Sequence, residues 1–346
     1  MYKPNYTITD ELLGKIAKIE SYRTQVDTSY ILPEREVELR YRATVESAHS
    51  STSIEGNPLN LKQVEKVLSS GQQLTRHQYA EIEVRNYKKA LDFIDRRKQT
   101  KTPIVLGDIL SIHKIIMNDL LPVGKVGVLR KNAIYITNQN DELEYTGPDA
   151  KSMVRELDQL LNWLNQADDV HPVVAAAILH FWFVSIHPFS DGNGRTTRVL
   201  TALFLGLNDY DFRGSLVLDS YYSVDKLEYY RSLSLSDNYA GRKSANLNPW
   251  LDYFVDGFLS AAKILSLEVS LLSNITIPSE KKRIATDDAD LLSYAKQFGS
   301  ISLAEAGDIL VGVSERTIQR KLKKLVDDGY LEMSGSARDT KYLWKQ

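Results

Sequence analysis

Two apolar stretches flank a short polar one near the middle of the chain. Pro172 to Ile186 (PVVAAAILHFWFVSI) is apolar nearly all round, which predicts a buried helix with proline in its first turn. Gly194 to Leu207 is rich in leucine and alanine and ends near Gly206 and Asn208, both good helix stops. Between them the pattern places a tight loop and a helix N-terminus. Apolar residues recur at helical spacing through most of the remainder. Thr9 to about Arg23 is expected to be a helix capped by Thr9, with Leu12, Leu13, Ile16 and Ile19 along it. A second starts at Pro33 and stops at Gly56, with Pro58 beyond. Leu61 to Arg97 reads as helical, with Tyr79, Ile82, Tyr87, Ala90, Leu91 and Ile94 on or near one stripe, until Pro103 breaks the pattern. Leu106 to Leu121, Ala150 to Leu164 and Leu247 to Ser273 complete this helical set.

The rhythm changes twice. From Pro122 to Pro148 several glycines surround the strand-like triplet Ile134, Tyr135 and Ile136, followed by a turn at Asn138 to Asp141; this predicts either a plain connection with an incidental hairpin or a functional one. Pro278 to Thr286 is charged and poor in large apolar residues, which marks a domain boundary. Beyond it, helices are expected at Asp287 to Phe298, Ser302 to Leu310 and Ser314 to Asp328, then two strands in YLEMSGSARDTKYLW about a Gly-Ser turn. The fold class expected is mainly α.

The polar stretch, His187 to Arg198, reads HPFSDGNGRTTR. Gly192, Asn193 and Gly194 can adopt backbone angles that other residues avoid, so consecutive N–H groups can face one concavity. Such a nest at the positive end of a helix binds anionic oxygens. Arg195 and Arg198 are three apart and can lean toward one anion as forked donors. Asp191 offers a hard oxygen ligand for Mg²⁺, and His187 is the group that can take a proton near neutral pH. Taken singly, each has a bland reading as turn, surface charge or structural histidine; together they describe phosphoryl or nucleotidyl transfer to a hydroxyl. His113, alone on its helix, reads as a surface or core residue rather than a ligand.

Length and composition narrow the setting. The 346 residues suggest about two domains, and 43% hydrophobic with 25% charged residues is the balance of a soluble globular protein. A net charge of −2 gives no strong pull toward nucleic acid or an anionic membrane. The absence of cysteine rules out disulfides and thiolate metal sites, and fits a reducing compartment. The first residues lack the apolar core of a signal peptide, and His180 divides the most apolar run before it reaches membrane-spanning length. A cytoplasmic protein with no membrane partner is expected.

HPFSDGNGRTTR resembles the Fic family signature, HPFx[D/E]GNGRxxR, at every specified position. Members typically transfer AMP from ATP to a Ser, Thr or Tyr hydroxyl of a target protein. The resemblance implies a Fic-type helical bundle in which His187 is the general base, Asp191 the Mg²⁺ ligand and Phe189 an anchor of the loop. Gly192, Asn193 and Gly194 would form the anion hole, and Arg195 and Arg198 would hold the distal phosphates. The phosphotransferase branch of the family carries Lys where this chain has Gly194, so the resemblance implies AMP transfer. The run SSTSIEGN fits the family's inhibitory pattern [S/T]xxxE[G/N] at Ser51, Glu55 and Gly56. There the glutamate pairs with the second motif arginine, here Arg198, which would compensate a carboxylate set unfavourably at the negative end of its helix. In similar proteins that glutamate can also help a water remove AMP from the target.

The same resemblance makes Val128 to Thr137 and Leu143 to Thr146 a flap that pairs with an extended target segment. Tyr229 and Tyr230 either line the adenine side or fill the core, and Asn238 is offset from the pattern expected of a nucleotide contact. The domains implied are an N-terminal helical region over 1–100 with its inhibitory helix at about 33–56, a Fic catalytic domain over 101–277, and a unit over 285–346 that resembles a winged helix-turn-helix domain. Arg316, Arg320, Lys321, Lys323 and Lys324 decorate its third helix, yet from Lys281 onward 12 Lys+Arg face 10 Asp+Glu, a net of only +2. That weak footprint favours protein interaction or homodimer contact over DNA. Two readings of different class follow: a Mg²⁺-dependent adenylyltransferase autoinhibited by Glu55, acting on another protein or itself, or a DNA-binding regulator or toxin-antitoxin-like protein whose Fic domain senses nucleotide.

Overall fold

A computed structural model describes residues 3–70, 78–137, 142–273, 285–335 and 340–345. The amphipathic and apolar runs form α1 (Asp10–Thr28), α2 (Pro33–Ile54), α3 (Leu61–Ser70), α4 (Gln78–Lys98) and α5 (Leu106–Ile116). A hairpin follows, β1 (Tyr135–Thr137) and β2 (Leu143–Thr146), then α6 (Ala150–Leu164), α7 (Pro172–Ile186) and α8 (Asn193–Leu207). Short helices α9 (Asp219–Val224), α10 (Lys226–Leu233) and α11 (Tyr239–Ser244) lead to the long α12 (Asn248–Ser273). The C-terminal unit runs α13 (Thr286–Phe298), β3 (Ser300–Ser302), α14 (Leu303–Ile309), α15 (Glu315–Asp327), β4 (Leu331–Ser334) and β5 (Lys341–Trp344). The fold is mainly α with two small antiparallel sheets, β1-β2 and β3-β5-β4.

The core is built around α7, which is buried on every side because it has no polar face to present. Helices α6, α8 and α12 pack on it, and Trp250 of α12 donates from its indole nitrogen to Ala177 O at 2.7 Å. His180, the one polar ring in its middle, is fully buried between Tyr229 Oη (2.9 Å) and Thr201 Oγ1 (3.3 Å). Helix starts follow side-chain chemistry. Thr9 accepts from Leu12 N, and Asp149 accepts from Lys151 N and Ser152 N, so each cap satisfies donors that the helix cannot.

One apolar cluster runs from Leu12 to Val269, and a second fills the C-terminal unit. Helix α2 belongs to both, because Val37 joins the second cluster while Val45, Ala48 and Ile54 join the first. An ion pair between Arg40 and Asp290, both largely buried, pins the same turns of α2 to α13.

Several elements differ from the sequence expectation. With no breaker before Ser29, α1 continues five residues past Arg23, and Leu13 is exposed. Tyr79 also points outward; Ala80 and Val84 take the buried stripe of α4 with Tyr87, Ala90 and Ile94. Helix α5 ends at Ile116 rather than Leu121, since Asp119 takes a left-handed φ of 58°. Strand structure begins at Tyr135 and not at Val128, and the expected turn at 138–141 lies outside the described residues, as does most of the boundary at 278–286. Among the described residues no helix is long and apolar enough to cross a membrane.

Candidate functional site

Helix α7 stops at His187, which takes a left-handed φ of 50°, and Pro188 cannot continue the helix. His187 keeps its ring against the end of α7, with Nδ1 3.2 Å from Val184 O. A carbonyl only accepts, so Nδ1 carries the proton and Nε2 keeps a lone pair. Burial lowers the His187 pKa to about 4, with the positive charges of Arg130 and Arg242 acting in the same direction against Val184 O and Glu55. The ring is therefore a neutral acceptor at physiological pH.

The loop after it is held from inside. Phe189 is fully buried, and the Asn193 side chain closes the turn twice, accepting from Phe189 N and donating to Phe189 O, each at 2.9 Å. Asn193 is thus a brace of the loop, and what it can offer an anion is its backbone N–H. Gly192 caps α8 at φ 74°, where a side chain would be strained. Thr196 N donates to Gly192 O, so the N–H groups of Asn193, Gly194 and Arg195 lack partners within the helix. Gly194 corrects the sequence reading: its φ is negative, and it requires glycine for space, because a Cβ there would collide with Glu55 Oε1 and crowd Arg198 Nη1.

The two arginines are held by different helices, Arg195 by α4 and Arg198 by α2. Arg195 pairs with Glu83 of α4, both nearly buried, while Asp191 is 3.8 Å from its Nη2. Glu83 also accepts from Asn57 Nδ2 at 2.7 Å. Burial raises the Glu83 pKa in spite of Arg195. Arg198 is enclosed by α2: Nε donates to Ser51 Oγ at 2.6 Å, and Nη2 to Ser51 O at 2.9 Å and Glu55 Oε1 at 2.7 Å. Glu55 is the C-cap of α2, one residue past the helix, with 28% of its side chain exposed. Burial opposes its charge, but Arg198 and then Arg195 outweigh that and hold its pKa below the usual carboxylate value. Behind Arg198, Asp219 lies 3.9 Å from Nε and accepts from Ser47 and Tyr87.

Among the described residues the buried donors Arg198 Nη1 and Arg195 Nε have no hydrogen-bond partner, so the site has unspent capacity for an anion. Asp191 bonds the N–H of Gly192 at 2.5 Å and leaves about half its side chain in solvent. Among the described residues no three His, Asp or Glu side chains converge as a metal cage. A lone carboxylate completed by substrate phosphates is, however, a usual Mg²⁺ setting, and Asp191 fits it.

His113 sits inside this assembly. Fully buried and stacked on Phe189 at 3.7 Å, it accepts at Nδ1 from Gly127 N and so donates from Nε2 to Asp191 O at 3.1 Å. Tyr229 resolves to core, whereas Tyr230 is 45% exposed. Asn238 caps α11 by accepting from Gly241 N. Glu83, Asn57, Asp219 and Arg130 were not singled out by the sequence pattern; each reaches the site from a distant element.

Residues 103–205 match the Fic/DOC family. A protein adenylyltransferase Fic of Drosophila mojavensis is 31% identical over 159 residues, covering 44% of this chain and 30% of that protein. Its counterpart from Aedes aegypti is 28% identical over 299 residues, covering 82% and 53%. The chain thus spans between 30% and 53% of the length of these curated relatives. A Fic family protein from Desulfovibrio desulfuricans superposes with a TM-score of 0.65 over 99% of this chain and 98% of its own, at 24% identity, which shows the shared fold.

Proposed function

We propose that this chain, which carries a Fic/DOC domain over residues 103–205, transfers AMP from ATP to a Ser, Thr or Tyr hydroxyl of a protein. The observation that carries the reading is the neutral His187, with Nε2 unprotonated, one loop away from a helix N-terminus and a buried arginine with an unspent donor. Nε2 takes the proton of the acceptor hydroxyl as its oxygen bonds to the α-phosphorus. The bond from that phosphorus to the bridging oxygen breaks, and pyrophosphate leaves. The N–H groups of Asn193, Gly194 and Arg195 face the charge that develops on phosphate oxygens. Arg198, and Arg195 to the extent that Glu83 allows, would take the distal phosphates. Asp191 would hold Mg²⁺, which supplies charge neutralisation between phosphates when bound.

Glu55 occupies the Arg198 donor that a γ-phosphate would use, and its negative charge repels the phosphate oxygens; this supports an autoinhibited resting state. Whether the same carboxylate helps a water remove AMP is tested by the same variant, Glu55→Gly, which would then gain transfer and lose removal. The β1-β2 hairpin supports an acceptor in extended conformation, either a separate protein or a segment of this one. The absence of cysteine fits a cytoplasmic setting.

Incubation with α-labelled and γ-labelled ATP separates the reactions. The α-label alone should appear on protein; transfer of the γ-label alone would make this a kinase. The alternative, a DNA-binding regulator, is supported by the C-terminal order helix, strand, helix, helix, strand, strand, as in a winged helix. Against it, Lys321 and Lys324 of α15 are both spent on Asp288. Protein or homodimer contact is the better use of this unit. Salt-resistant, sequence-specific DNA binding without any AMP transfer would reverse that ranking.

A further inference from the structure

Arg130 lies in the segment that leads into the β1-β2 hairpin and is 7% exposed. A buried guanidinium ordinarily faces a carboxylate. Every hydrogen bond that Arg130 makes among the described residues goes instead to a backbone carbonyl. Nε donates to His187 O at 2.8 Å, Nη1 to Asn132 O at 2.6 Å, and Nη2 to Pro148 O at 2.6 Å and Ile186 O at 3.3 Å. Its own N–H donates to Pro188 O at 3.0 Å.

The acceptors fall into two groups. Ile186 and His187 supply carbonyls at the C-terminal end of α7, where helix geometry leaves them unpaired and a cation complements the dipole. Asn132 and Pro148 lie just before β1 and just after β2, at the two roots of the hairpin. One rigid planar fork therefore ties both roots to the backbone of His187. An isolated two-stranded hairpin is marginal in water. This one exposes Tyr135 and Leu143, so its placement depends on anchors of this kind. Tyr145, which donates to Ser185 O at 2.6 Å, is another.

We infer that Arg130 is a positioning residue: it fixes the hairpin relative to His187, so that an acceptor segment paired along the hairpin presents its hydroxyl to Nε2. The inference rests on the adenylyltransferase reading for its consequence, and on the fork alone for its geometry. Lysine keeps the charge but offers a point donor that cannot span two hairpin roots and a helix end, so Arg130→Lys removes the device without removing the charge.

The chain has no cysteine, so nitroxide labels can be placed singly at the exposed Leu143 and Val154 through Leu143→Cys and Val154→Cys. Their distance distribution, measured in the full chain, should be narrow with Arg130 present and broadened or displaced in both Arg130→Lys and Arg130→Gln. In a Glu55→Gly background with denatured casein as an extended acceptor, kcat/KM for casein should fall about tenfold or more while KM for ATP stays within about twofold, since misplacement of the acceptor alone costs rate. Unchanged distances and unchanged casein kinetics in both variants would overturn the inference. So would an equal loss toward casein and ATP, which marks general destabilisation. If the Glu55→Gly parent transfers no AMP at all, the adenylyltransferase reading fails, and the label distances still decide what Arg130 holds. Should Arg130→Gln fail to fold, Arg130→Lys carries the test.

Discussion

The loop after α7 is gripped from two sides that look alike and differ in kind. On the α4 side, Arg195 meets Glu83, both less than a tenth exposed, and Asn57 takes the second carboxylate oxygen. On the α2 side, Arg198 meets Glu55, which sits at a helix end with over a quarter of its side chain in solvent. Glu55 has Arg198 as its hydrogen-bonding partner, whereas Arg198 keeps two bonds to Ser51 and has Asp219 nearby if Glu55 leaves. Removing one member of a buried pair strands the other; removing Glu55 does not. The α4 side is therefore scaffold, and the α2 side is a stopper that can be withdrawn.

The largest expected effect lies between the two sides. His187→Ala should lower AMP transfer by about a hundredfold or more, the range of a lost general base, while ATP affinity measured by calorimetry stays near the parent value. Next, Glu55→Gly should raise transfer of α-labelled AMP roughly a hundredfold by freeing Arg198 for productive phosphate geometry, and lower stability by no more than about 1 kcal/mol in a denaturant titration. Glu83→Ala should do the reverse. Leaving Arg195 buried with only the half-exposed Asp191 at 3.8 Å costs about 3 kcal/mol or more by the same titration, and transfer should not rise. Equal behaviour of the two glutamate variants would erase the distinction.

The smallest effect concerns pH. His113 and His180 are fully buried, and burial lowers the pKa of His113 to about 4 and that of His180 well below its ordinary value. The unfolded chain takes up these protons first as pH falls, so their contribution is intact above about 6.5 and is lost progressively toward 4, by up to about 1.4 kcal/mol per pH unit for each. Glu55, its pKa held below the usual carboxylate value by Arg198 against the effect of burial, gives up its charge later than an ordinary glutamate would. Acid should thus loosen the loop's support before it releases the stopper. Melting temperatures from pH 7 to 4, with His113→Asn flattening the slope, would show it.

Much of this was legible in the sequence because it is local. The limits of α6 and α7 are written in Asp149, Pro172 and the apolar run between Pro172 and Ile186, and HPFSDGNGRTTR keeps its chemical groups within twelve residues. The supports were not legible, because packing assembles them from afar: Glu83 lies 112 positions from Arg195, His113 78 from Asp191, and Arg130 57 from His187. A glutamate within an amphipathic helix carries no mark that its partner is an arginine on another. In the sequence Gly194 looks like a source of backbone freedom, but its reason is the carboxylate that sits where its side chain would be, a fact that only the tertiary structure supplies.

The stopper role of Glu55 is tested most directly by the intact mass and α-label uptake of parent and Glu55→Gly protein, each incubated with ATP, Mg²⁺ and denatured casein. Adenylyl transfer, onto casein or the chain itself, should be roughly a hundredfold faster in Glu55→Gly. A variant that folds, binds ATP and transfers no faster than its parent would contradict it, and would leave Glu55 as no more than the end of a helix.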